Sequence, residues 1–338
     1  MTDPDQHRPD QFRAEPAARG SLSSLAVLVV NYGSHAIVET NLARSLGQGF
    51  DGQVIIVDNF SSAEERRAIE AVCQRHGWTL LALTSNTGFG GGNNAGAKLA
   101  ISEGATELLL INPDAWLPID AIHDLRAQVR SDSLLQVAPM VLRPDGSLYT
   151  AEVDLHLDLG EMRSVRRRPA DIDLSQVHTW VSGACFAVST HLWQLIDGFD
   201  EEYFLYWEDV DFSRRVVEAG GTVRADPTLH AVHDEGSTHR DSGPQRVKSP
   251  VYYYYNARNR LLYAAKHLET ADQQRWRRAT PRASYRILLQ GGRRQFIKPL
   301  RTFWPALRGS YDGLRMLRAT TRSQALLSAP GRGQEQQQ

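Results

Sequence analysis

The chain has 338 residues, of which 41% are hydrophobic and 23% charged, and its formal net charge is −1 at pH 7. This composition predicts a folded core, in one large domain with or without an extension. The two cysteines, Cys73 and Cys185, lie far apart and form no CxxC pair. Their spacing argues against a structural zinc site or a disulfide framework and favours a reducing compartment.

The amino-terminal segment and the apolar runs bear on where the protein acts. The longest purely apolar run, residues 25–30, is too short to span a bilayer. Residues 1–22 mix Asp, Arg, Pro and Gln without the apolar stretch of a signal peptide, and we interpret them as a disordered tail. We therefore expect a cytoplasmic protein.

Short apolar runs alternate with helix-like segments through the first third of the chain. The apolar runs predict strands at residues 25–31, 54–58, 80–84 and 107–112. Helical spacing predicts helices at residues 64–75 and 93–103. Strands that alternate with helices and are apolar throughout indicate an α/β fold, with a mostly parallel central sheet and helices on both faces.

Beyond residue 114 the pattern is mixed. It predicts a helix at 120–129, a strand at 135–142, a loop at 161–168, a strand at 180–188 and helices at 208–220 and 252–267. The glycine pair Gly220-Gly221 suits the end of a helix, because glycine adopts the left-handed cap. The Gln- and Gly-rich residues 323–338 are predicted to be disordered.

Polar residues follow three of the predicted strands, at the edge where open parallel sheets bind ligands. Asp58 follows the second strand, Asn86 the third and Asp114 the fourth. Asp58 either accepts hydrogen bonds from a base or a ribose or caps the next helix in an Asx turn. Asp114, after Asn112-Pro113, either holds a divalent cation through its carboxylate or forms a Pro-Asp turn.

The segment 86–96 is rich in glycine and opens a helix after a strand. Glycines let the backbone approach a ligand closely, and the amino end of a helix favours negative charge. A dinucleotide fingerprint is the competing interpretation, but Asn93 stands where the third glycine is required, and the segment follows the third strand instead of the first. A flexible linker is the other alternative, and the two asparagines and the following helix argue against it.

The segment 198–212 places adjacent acids among aromatic residues, with Glu208-Asp209 at its centre. Apolar surroundings raise the pKa of a carboxylate towards values useful for a general base. Acids are also favoured at the start of a helix by its dipole, and both interpretations can hold together. His230 and His233 could bind zinc, but no cysteine lies nearby, so structural roles are favoured.

The carboxyl-terminal part is strongly basic. Residues 275–322 hold 13 lysines or arginines and one acid, Asp312, interleaved with aromatic and aliphatic residues. We expect Pro281, Pro299 and Pro305 to break this segment into short amphipathic pieces that dock on an anionic membrane surface. A solvated run of charge is the alternative. Nucleic-acid binding ranks lowest because no recognition motif accompanies the charge.

Seven motifs occur in order: VVNYGS, VDNFSS, NTGFGGGNNAG, LLLINPDA, VSGACFAVS, GFDEEYFLYWEDVDFSRR and YYYYNARNRL. Together they resemble the family 2 glycosyltransferases of GT-A fold, most of all the bacterial rhamnosyltransferase branch, across residues 25–265. The resemblance implies a GT-A domain over residues 23–268, with the basic segment 269–322 as an extension.

The resemblance also implies roles for individual residues. The implied nucleotide-sugar site consists of Asn31, Tyr32, Asp58, Asn59, Asn86, Gly88, Phe89, Asn94 and Asp114. The implied Mg²⁺ or Mn²⁺ ligands are Asp114 and His233, and the implied catalytic pair is Glu208 and Asp209, with Asp209 as the base. Apart from the resemblance, Arg258 and Arg260 on the predicted helix 252–267, together with Trp207, could contact the acceptor or a phosphate, although arginines on a helix are usually just solvated. Asn112 stands where many relatives carry the first carboxylate of an Asp-x-Asp motif.

The implied reaction is metal-dependent, inverting transfer of a sugar from a nucleotide-diphosphate donor to a lipid-linked or cell-surface glycan, at the inner face of the cell membrane. The implied donor is dTDP-L-rhamnose, with UDP-sugars such as UDP-galactofuranose as the alternative. A non-catalytic nucleotide-sugar or glycan-binding module is a second alternative, which the intact Asp114 and Glu208-Asp209 oppose. A nicotinamide oxidoreductase is weaker still, because the glycine spacing fails.

Overall fold

The computed structural model describes residues 24–47, 50–234, 248–291 and 299–328. The tail predicted for residues 1–22 lies outside the described residues, and so do residues 329–338 of the tail predicted for 323–338. The helices are α1 His35–Leu46, α2 Ala63–His76, α3 Gly88–Ser102, α4 Ile119–Ser131, α5 Thr190–Leu195, α6 Glu208–Glu218, α7 Pro250–His267, α8 Thr270–Leu289 and α9 Pro299–Ser328. The strands are β1 Leu25–Asn31, β2 Gln53–Asp58, β3 Thr79–Ala82, β4 Glu107–Ile111, β5 Ala115–Trp116, β6 Leu135–Leu142, β7 Leu148–Thr150, β8 Val153–His156, β9 Glu161–Ser164, β10 Val177–Trp180, β11 Cys185–Ser189 and β12 Thr222–His233.

The main sheet has the strand order β3-β2-β1-β4-β11-β6-β12-β5. The first four strands are parallel, and the register pairs Asn31 with Asp58 at the carboxyl ends of β1 and β2. Strand β11 runs antiparallel between β4 and β6, and β12 is parallel to β6. The apolar runs are buried because hydrophobic clusters lie on both faces of the sheet.

A second, antiparallel sheet of three strands has the order β10-β8-β9. It corrects two predictions. Residues 161–168 are not a loop, because β9 pairs with β8 and a 3₁₀ turn follows. The strand predicted at 180–188 is divided between β10 in the small sheet and β11 in the main sheet, with Gly183 in the connecting turn.

In its described residues the basic extension forms two long helices, so the prediction that Pro281 and Pro305 would break it was wrong. Pro281 lies inside α8 and Pro305 inside α9, whereas Pro299 begins α9. A proline inside a helix removes one hydrogen bond, a loss that packing along the rest of the helix can offset. Residues 323–328 continue α9 and are therefore helical.

Helices α8 and α9 of the basic extension pack against α7. A Cβ on Gly309 would lie 2.2 Å from the Tyr254 carbonyl oxygen, so the backbones of α9 and α7 touch. Trp276 of α8 is wholly buried in a cluster with Tyr263 of α7 and with Trp207. Among the described helices, none is both long enough and apolar enough to cross a membrane.

Candidate functional site

Asp58 provides a buried acceptor at the carboxyl end of β2. Its Oδ2 lies 2.6 Å from Arg66 Nε, and Arg66 also donates to the Leu83 carbonyl. The other carboxylate oxygen, Oδ1, is buried and has no hydrogen-bond partner among the described residues. Since buried polar atoms are nearly always paired, this oxygen fits an N–H or O–H group supplied by a ligand.

Asn59 and Asn86 brace the neighbouring turn. Asn59 Oδ1 accepts from the Thr87 backbone N–H at 2.9 Å, and its Nδ2 donates to the Gly88 carbonyl at 2.9 Å and to Asn86 Oδ1 at 3.0 Å. Asn86 Oδ1 also accepts from the Gly88 N–H at 2.8 Å. The side-chain amide of Asn59 therefore joins the loop after β2 to the loop before α3, and these hydrogen bonds leave it no free group for a ligand.

The two predicted residues at the end of β1 differ in exposure. Asn31 is buried, and its side chain accepts from Ser34 and donates to Glu65. Tyr32 is exposed at the rim. The engaged side chain of Asn31 supports the loop, whereas the ring of Tyr32 is open to a ligand.

The glycine-rich segment is helical from Gly88 onward, so the helix predicted at 93–103 begins five residues earlier. Its glycines allow close helix packing: a Cβ on Gly92 would lie 2.8 Å from Val30 Cγ1, and one on Gly96 would lie 2.9 Å from Val57 Cγ2. Gly88 itself has φ +81°, and a Cβ there would lie 2.2 Å from the Phe204 carbonyl oxygen. Close packing against protein atoms is thus one role of these glycines, and their approach to a ligand stays a prediction.

Phe89 and Asn94 fasten the acidic, aromatic segment to α3. The Phe89 N–H donates to the Phe204 carbonyl at 2.8 Å. Asn94 accepts from the Phe199 N–H and donates to the Phe199 carbonyl, both at 2.9 Å. Backbone and side-chain hydrogen bonds therefore join α3, which carries Phe89 and Asn94, to the acidic and aromatic segment 198–212.

Asp114 and His233, distant in sequence, meet where β5 pairs with β12. His233 Nε2 lies 3.0 Å from Asp114 Oδ1, and both side chains are buried. His233 Nδ1 has no partner among the described residues. The described residues contain no cluster of three or more His, Cys, Asp or Glu side chains suited to a metal. One carboxylate and one imidazole fit a cation that takes its other ligands from substrate phosphates and water.

Glu208 and Asp209 begin α6, where the helix dipole favours carboxylates. Asp209 accepts from the Gly183 N–H at 3.0 Å and from the Val210 N–H at 2.9 Å, and burial raises its pKa to about 6. Burial and the adjacent Asp209 raise the pKa of Glu208 well above the usual range, and its Oε2 has no partner among the described residues. The two neighbouring carboxylates therefore differ in their surroundings: Glu208 is buried beside an acid, whereas Asp209 accepts two backbone N–H bonds, an arrangement that separates pKa values in acid–base sites.

The turn before this pair is strained. Phe204, Tyr206 and Trp207 have φ values of 61°, 65° and 74°, in the left-handed region that favours glycine. Asn259, in the sequence NARNRL of α7, is fully buried beneath the turn. Sequence reasoning missed Asn259 and Gly183. The motifs YYYYNARNRL and VSGACFAVS contain them, but nothing local distinguishes them from their neighbours.

The three residues predicted to contact an acceptor or a phosphate are not all together. Arg258 Nη1 donates to the Glu202 carbonyl at 2.9 Å and to Asn259 Oδ1 at 2.6 Å. Arg260 is buried on another side of α7, over the ring of Trp276. Trp207 is also buried, and it lines the same hollow as Arg260.

A wider hollow of about 780 Å³ lies behind α3, beside Lys98, Trp193 and Arg215. The residues that line it include none of the carboxylates at positions 58, 114 and 209. Of the predicted site residues, Asn94 does line this hollow, so its volume does not mark the predicted carboxylates.

Comparison with known proteins identifies the family. A model of glycosyl transferase family 2 matches residues 26–187. An N-acetylglucosaminyl-diphospho-decaprenol L-rhamnosyltransferase of Mycobacterium tuberculosis is 30% identical over 248 residues, which are 64% of this chain and 78% of the relative. The chain belongs to glycosyltransferase family 2.

Two further relatives extend the likeness along this family 2 glycosyltransferase. A low-salt glycan biosynthesis hexosyltransferase of Haloferax volcanii is 24% identical over 306 residues, which are 87% of this chain and 92% of the relative. A mannosyltransferase of Pyrobaculum calidifontis, solved with GDP-Man and Mn²⁺, superposes with a TM-score of 0.51 at 15% identity over 90% of this chain and 88% of that one. The GT-A fold, the hexosyltransferase class and the likeness to rhamnosyltransferases are thereby confirmed.

Proposed function

We propose that the protein is an inverting, divalent-cation-dependent glycosyltransferase that moves L-rhamnose from dTDP-L-rhamnose to a hydroxyl of a polyprenyl-diphosphate-linked glycan. The observation that carries the proposal is the ionised, half-buried Asp209 on the same connected structure as Asp58 and α3. The rhamnosyltransferase named above supplies the choice of sugar and the class of acceptor.

Asp209 acts as the base. Its carboxylate takes the proton of the acceptor hydroxyl as that oxygen bonds to the anomeric carbon and the bond from this carbon to the diphosphate oxygen breaks. Attack from the face opposite the leaving diphosphate inverts the anomeric centre. The Gly183 N–H holds one carboxylate oxygen of Asp209 at 3.0 Å and so orients the base.

Asp58 recognises the nucleotide through its unpartnered Oδ1, which suits a ring N–H or a ribose hydroxyl. Thymine and uracil both carry an N–H next to two carbonyl groups, so this contact does not separate dTDP-rhamnose from UDP-galactofuranose, which remains the second candidate donor. Asp114 and His233 would hold the cation, which when bound would offset the negative charge of the leaving diphosphate.

A donor screen tests the proposal. The wild-type protein and Asp209→Asn are incubated with dTDP-rhamnose, UDP-galactofuranose and other UDP- and GDP-sugars, with Mg²⁺, Mn²⁺ or EDTA, and slow donor hydrolysis and thermal shift are measured. We expect one donor to stabilise both proteins and to be hydrolysed by the wild type alone, only with metal. Stabilisation without any hydrolysis would favour the non-catalytic binding module.

The outer face of α9 supports a peripheral contact with an anionic membrane. Trp304, Leu307 and Tyr311, spaced along one face of the helix, are 66%, 59% and 59% exposed. Arg315 and Arg318 continue the exposed face, so apolar and cationic groups are interleaved as in helices that lie at membrane surfaces.

Vesicle flotation tests this contact with the full chain. Trp304→Ser combined with Leu307→Ser should abolish binding to phosphatidylglycerol vesicles, and binding by the wild type should weaken at high salt. Leu174→Ser is the matched control, because Leu174 is similarly exposed but belongs to the short 3₁₀ turn before β10 and not to α9. Equal binding by all three proteins would remove α9 as the docking surface.

A further inference from the structure

A hollow of about 280 Å³ lies between α7, α8 and the turn that joins β8 to β9. This volume approaches the roughly 300 Å³ at which small-ligand pockets begin. Three cations line it, Arg260 of α7 with Arg282 and Arg286 of α8, against one acid, Glu161. Glu161 forms ion pairs with Arg286 and with Arg163, and within the described parts of the chain neither Arg260 nor Arg282 forms an ion pair with a carboxylate.

Arg260 is the buried member of this group. Its Nη2 donates to the Leu159 carbonyl at 2.7 Å and its Nη1 to the Trp276 carbonyl at 3.3 Å. Its Nε is buried and has no partner among the described residues. Carbonyl groups accept its N–H bonds but do not neutralise its charge, and burying a charge is costly. Burial lowers the pKa of Arg260 to about 10, and the attraction of Glu161 offsets this only in part, so an anion bound in the hollow would stabilise the guanidinium.

The hollow adjoins the catalytic turn. Trp207, which lines it, immediately precedes Glu208-Asp209, and Tyr252, also in the lining, packs edge-on against Tyr206 at 5.2 Å between ring centroids. A group held there lies beside the segment that presents the base.

We propose that this hollow binds the phosphate groups of the acceptor, with Arg260 and Arg282 as counter-ions. The assignment rests on the proposed function for the identity of the acceptor, but the anion site itself does not. It gives the basic α8 a direct part in substrate binding, since Arg282 is exposed towards the hollow and has no carboxylate partner among the described residues.

The binding test uses inorganic pyrophosphate in EDTA, titrated calorimetrically into the full chain. Arg282→Glu should weaken pyrophosphate binding about tenfold or more, the loss of one charge-assisted contact. Arg278→Glu is the control, because Arg278 lies exposed on α8 outside the hollow. Equal affinity for the two variants, or no binding by the wild type, would overturn the anion site.

Kinetics then identify the source of the phosphate. Arg282→Glu should raise KM for a prenyl-diphosphate-linked glycan about tenfold and leave KM unchanged for the same glycan as a phosphate-free octyl glycoside. If phosphatidylglycerol vesicles compete with pyrophosphate but the two KM values change alike, the site holds a lipid head group and the acceptor assignment is wrong. Pyrophosphate binding without transfer from any donor would instead contradict the proposed function.

A separate observation concerns the buried amide of Asn259. Its Nδ2 donates to the carbonyls of Tyr203 at 2.7 Å, Leu205 at 2.9 Å and Tyr206 at 2.7 Å. Two N–H bonds thus serve three carbonyls of the strained turn. Strained backbone persists only where its surroundings hold it. The Asn259 amide contributes to this by binding three carbonyl groups of the turn.

We infer that Asn259 is a positioning residue that keeps Asp209 in place for proton transfer. Asn259→Asp replaces the donor by an oxygen that repels three carbonyls, and Asn259→Ala removes it. Both should lower kcat roughly 100-fold, the cost of a misplaced catalytic group, while the Kd for the donor stays within about twofold.

Gln273→Ala separates positioning from stability. Gln273 is another buried amide, and it donates to the Leu268 carbonyl at 2.8 Å, at the other end of α7. We expect Gln273→Ala to lower Tm without lowering kcat, whereas Asn259→Ala also moves the acidic limb of the pH profile, because Asp209 changes its surroundings. If kcat falls in proportion to Tm in both variants, Asn259 is merely structural.

Discussion

His233 lies with its Nε2 3.0 Å from Asp114 Oδ1, although 119 residues separate them in sequence. The contact forms because the antiparallel pairing of β12 with β5 places His233 opposite Ala115. Strand pairing, which no local motif encodes, therefore assembles the two groups proposed to hold the cation.

Substitution of Asp114 or His233 should raise the concentration of divalent cation that activity needs. We expect Asp114→Asn to lower activity on the order of 100-fold, since a metal supplies several kcal/mol of charge stabilisation. His233→Ala should increase the Mn²⁺ concentration at half-maximal rate and leave the saturated rate less affected. Initial rates against Mn²⁺ and Mg²⁺ after chelation measure both effects. His230→Ala, an exposed histidine on the same strand, should match the wild type.

Substitution of the catalytic pair should be asymmetric. Asp209→Asn removes the base and should lower kcat by about 100- to 10,000-fold, with donor binding preserved. Glu208→Gln should cost less than about tenfold, because burial disfavours the charged form of Glu208 and the amide keeps its shape. Single-turnover rates and donor Kd values check this, and equal losses in the two variants would contradict the assignment of Asp209 as the base.

The pH profile should report the raised pKa of Asp209. Because the base must be deprotonated and burial raises its pKa to about 6, kcat should rise with pH and reach half its plateau near pH 6. A profile of kcat from pH 4.5 to 8.5 measures the limb. A limb near pH 4, the range of an ordinary carboxylate, would show that the base is a solvent-exposed group.

Stability should show the opposite trend with pH. The folded-state pKa of Asp209 lies above the unfolded value, so folding is favoured below the unfolded pKa and this contribution is lost as pH rises through about 6. Asp209→Asn should therefore be more stable than the wild type at pH 8, on the order of 2 kcal/mol, with the difference shrinking at pH 5. Urea denaturation at the two pH values makes the comparison, and a difference independent of pH would contradict it.

Gly88 should tolerate no side chain. Its Cβ would lie 2.2 Å from the Phe204 carbonyl oxygen, so Gly88→Ala should cost more than about 3 kcal/mol and most activity. Gly146→Ala provides the control, since Gly146 has φ +80° but no atom within 4 Å of an added Cβ. We expect it to cost about 1–2 kcal/mol, the left-handed strain alone, with activity unchanged. Chemical denaturation and kcat compare the two.

The local hydrophobic pattern predicted the bounds of those strands that are apolar on both faces. The strands predicted at 25–31 and 135–142 match β1 and β6, because continuous apolar runs leave few alternatives. The helix at 93–103 was predicted too short, since glycine has low helix propensity and the tertiary contacts of Gly92 with Val30 override it. Residues 180–188 were predicted to be a single strand, because the hydrophobic pattern does not show that their two halves belong to different sheets.

The site was predictable by residue type and not by geometry. The motifs marked Asp58, Asp114 and Asp209, and their roles in the site stay predictions; what the structure adds is the contacts of each carboxylate. The sequence did not reveal that Arg258 and Arg260 lie on different sides of α7, or that the side chain of Asn94 hydrogen-bonds to the backbone of Phe199. Those facts depend on which elements pack together, and the contacts that determine them span about a hundred residues of chain.

The burial of Trp276 has a consequence for the limits of the domain. Its indole fills the centre of a cluster with Trp207 and Tyr263, and its Nε1 donates to the Leu157 carbonyl at 2.7 Å. A chain cut after His267 would expose these rings directly behind the catalytic turn. Any shorter member of the family must therefore cover this patch by other means, with bulkier side chains on the small sheet or with a second subunit.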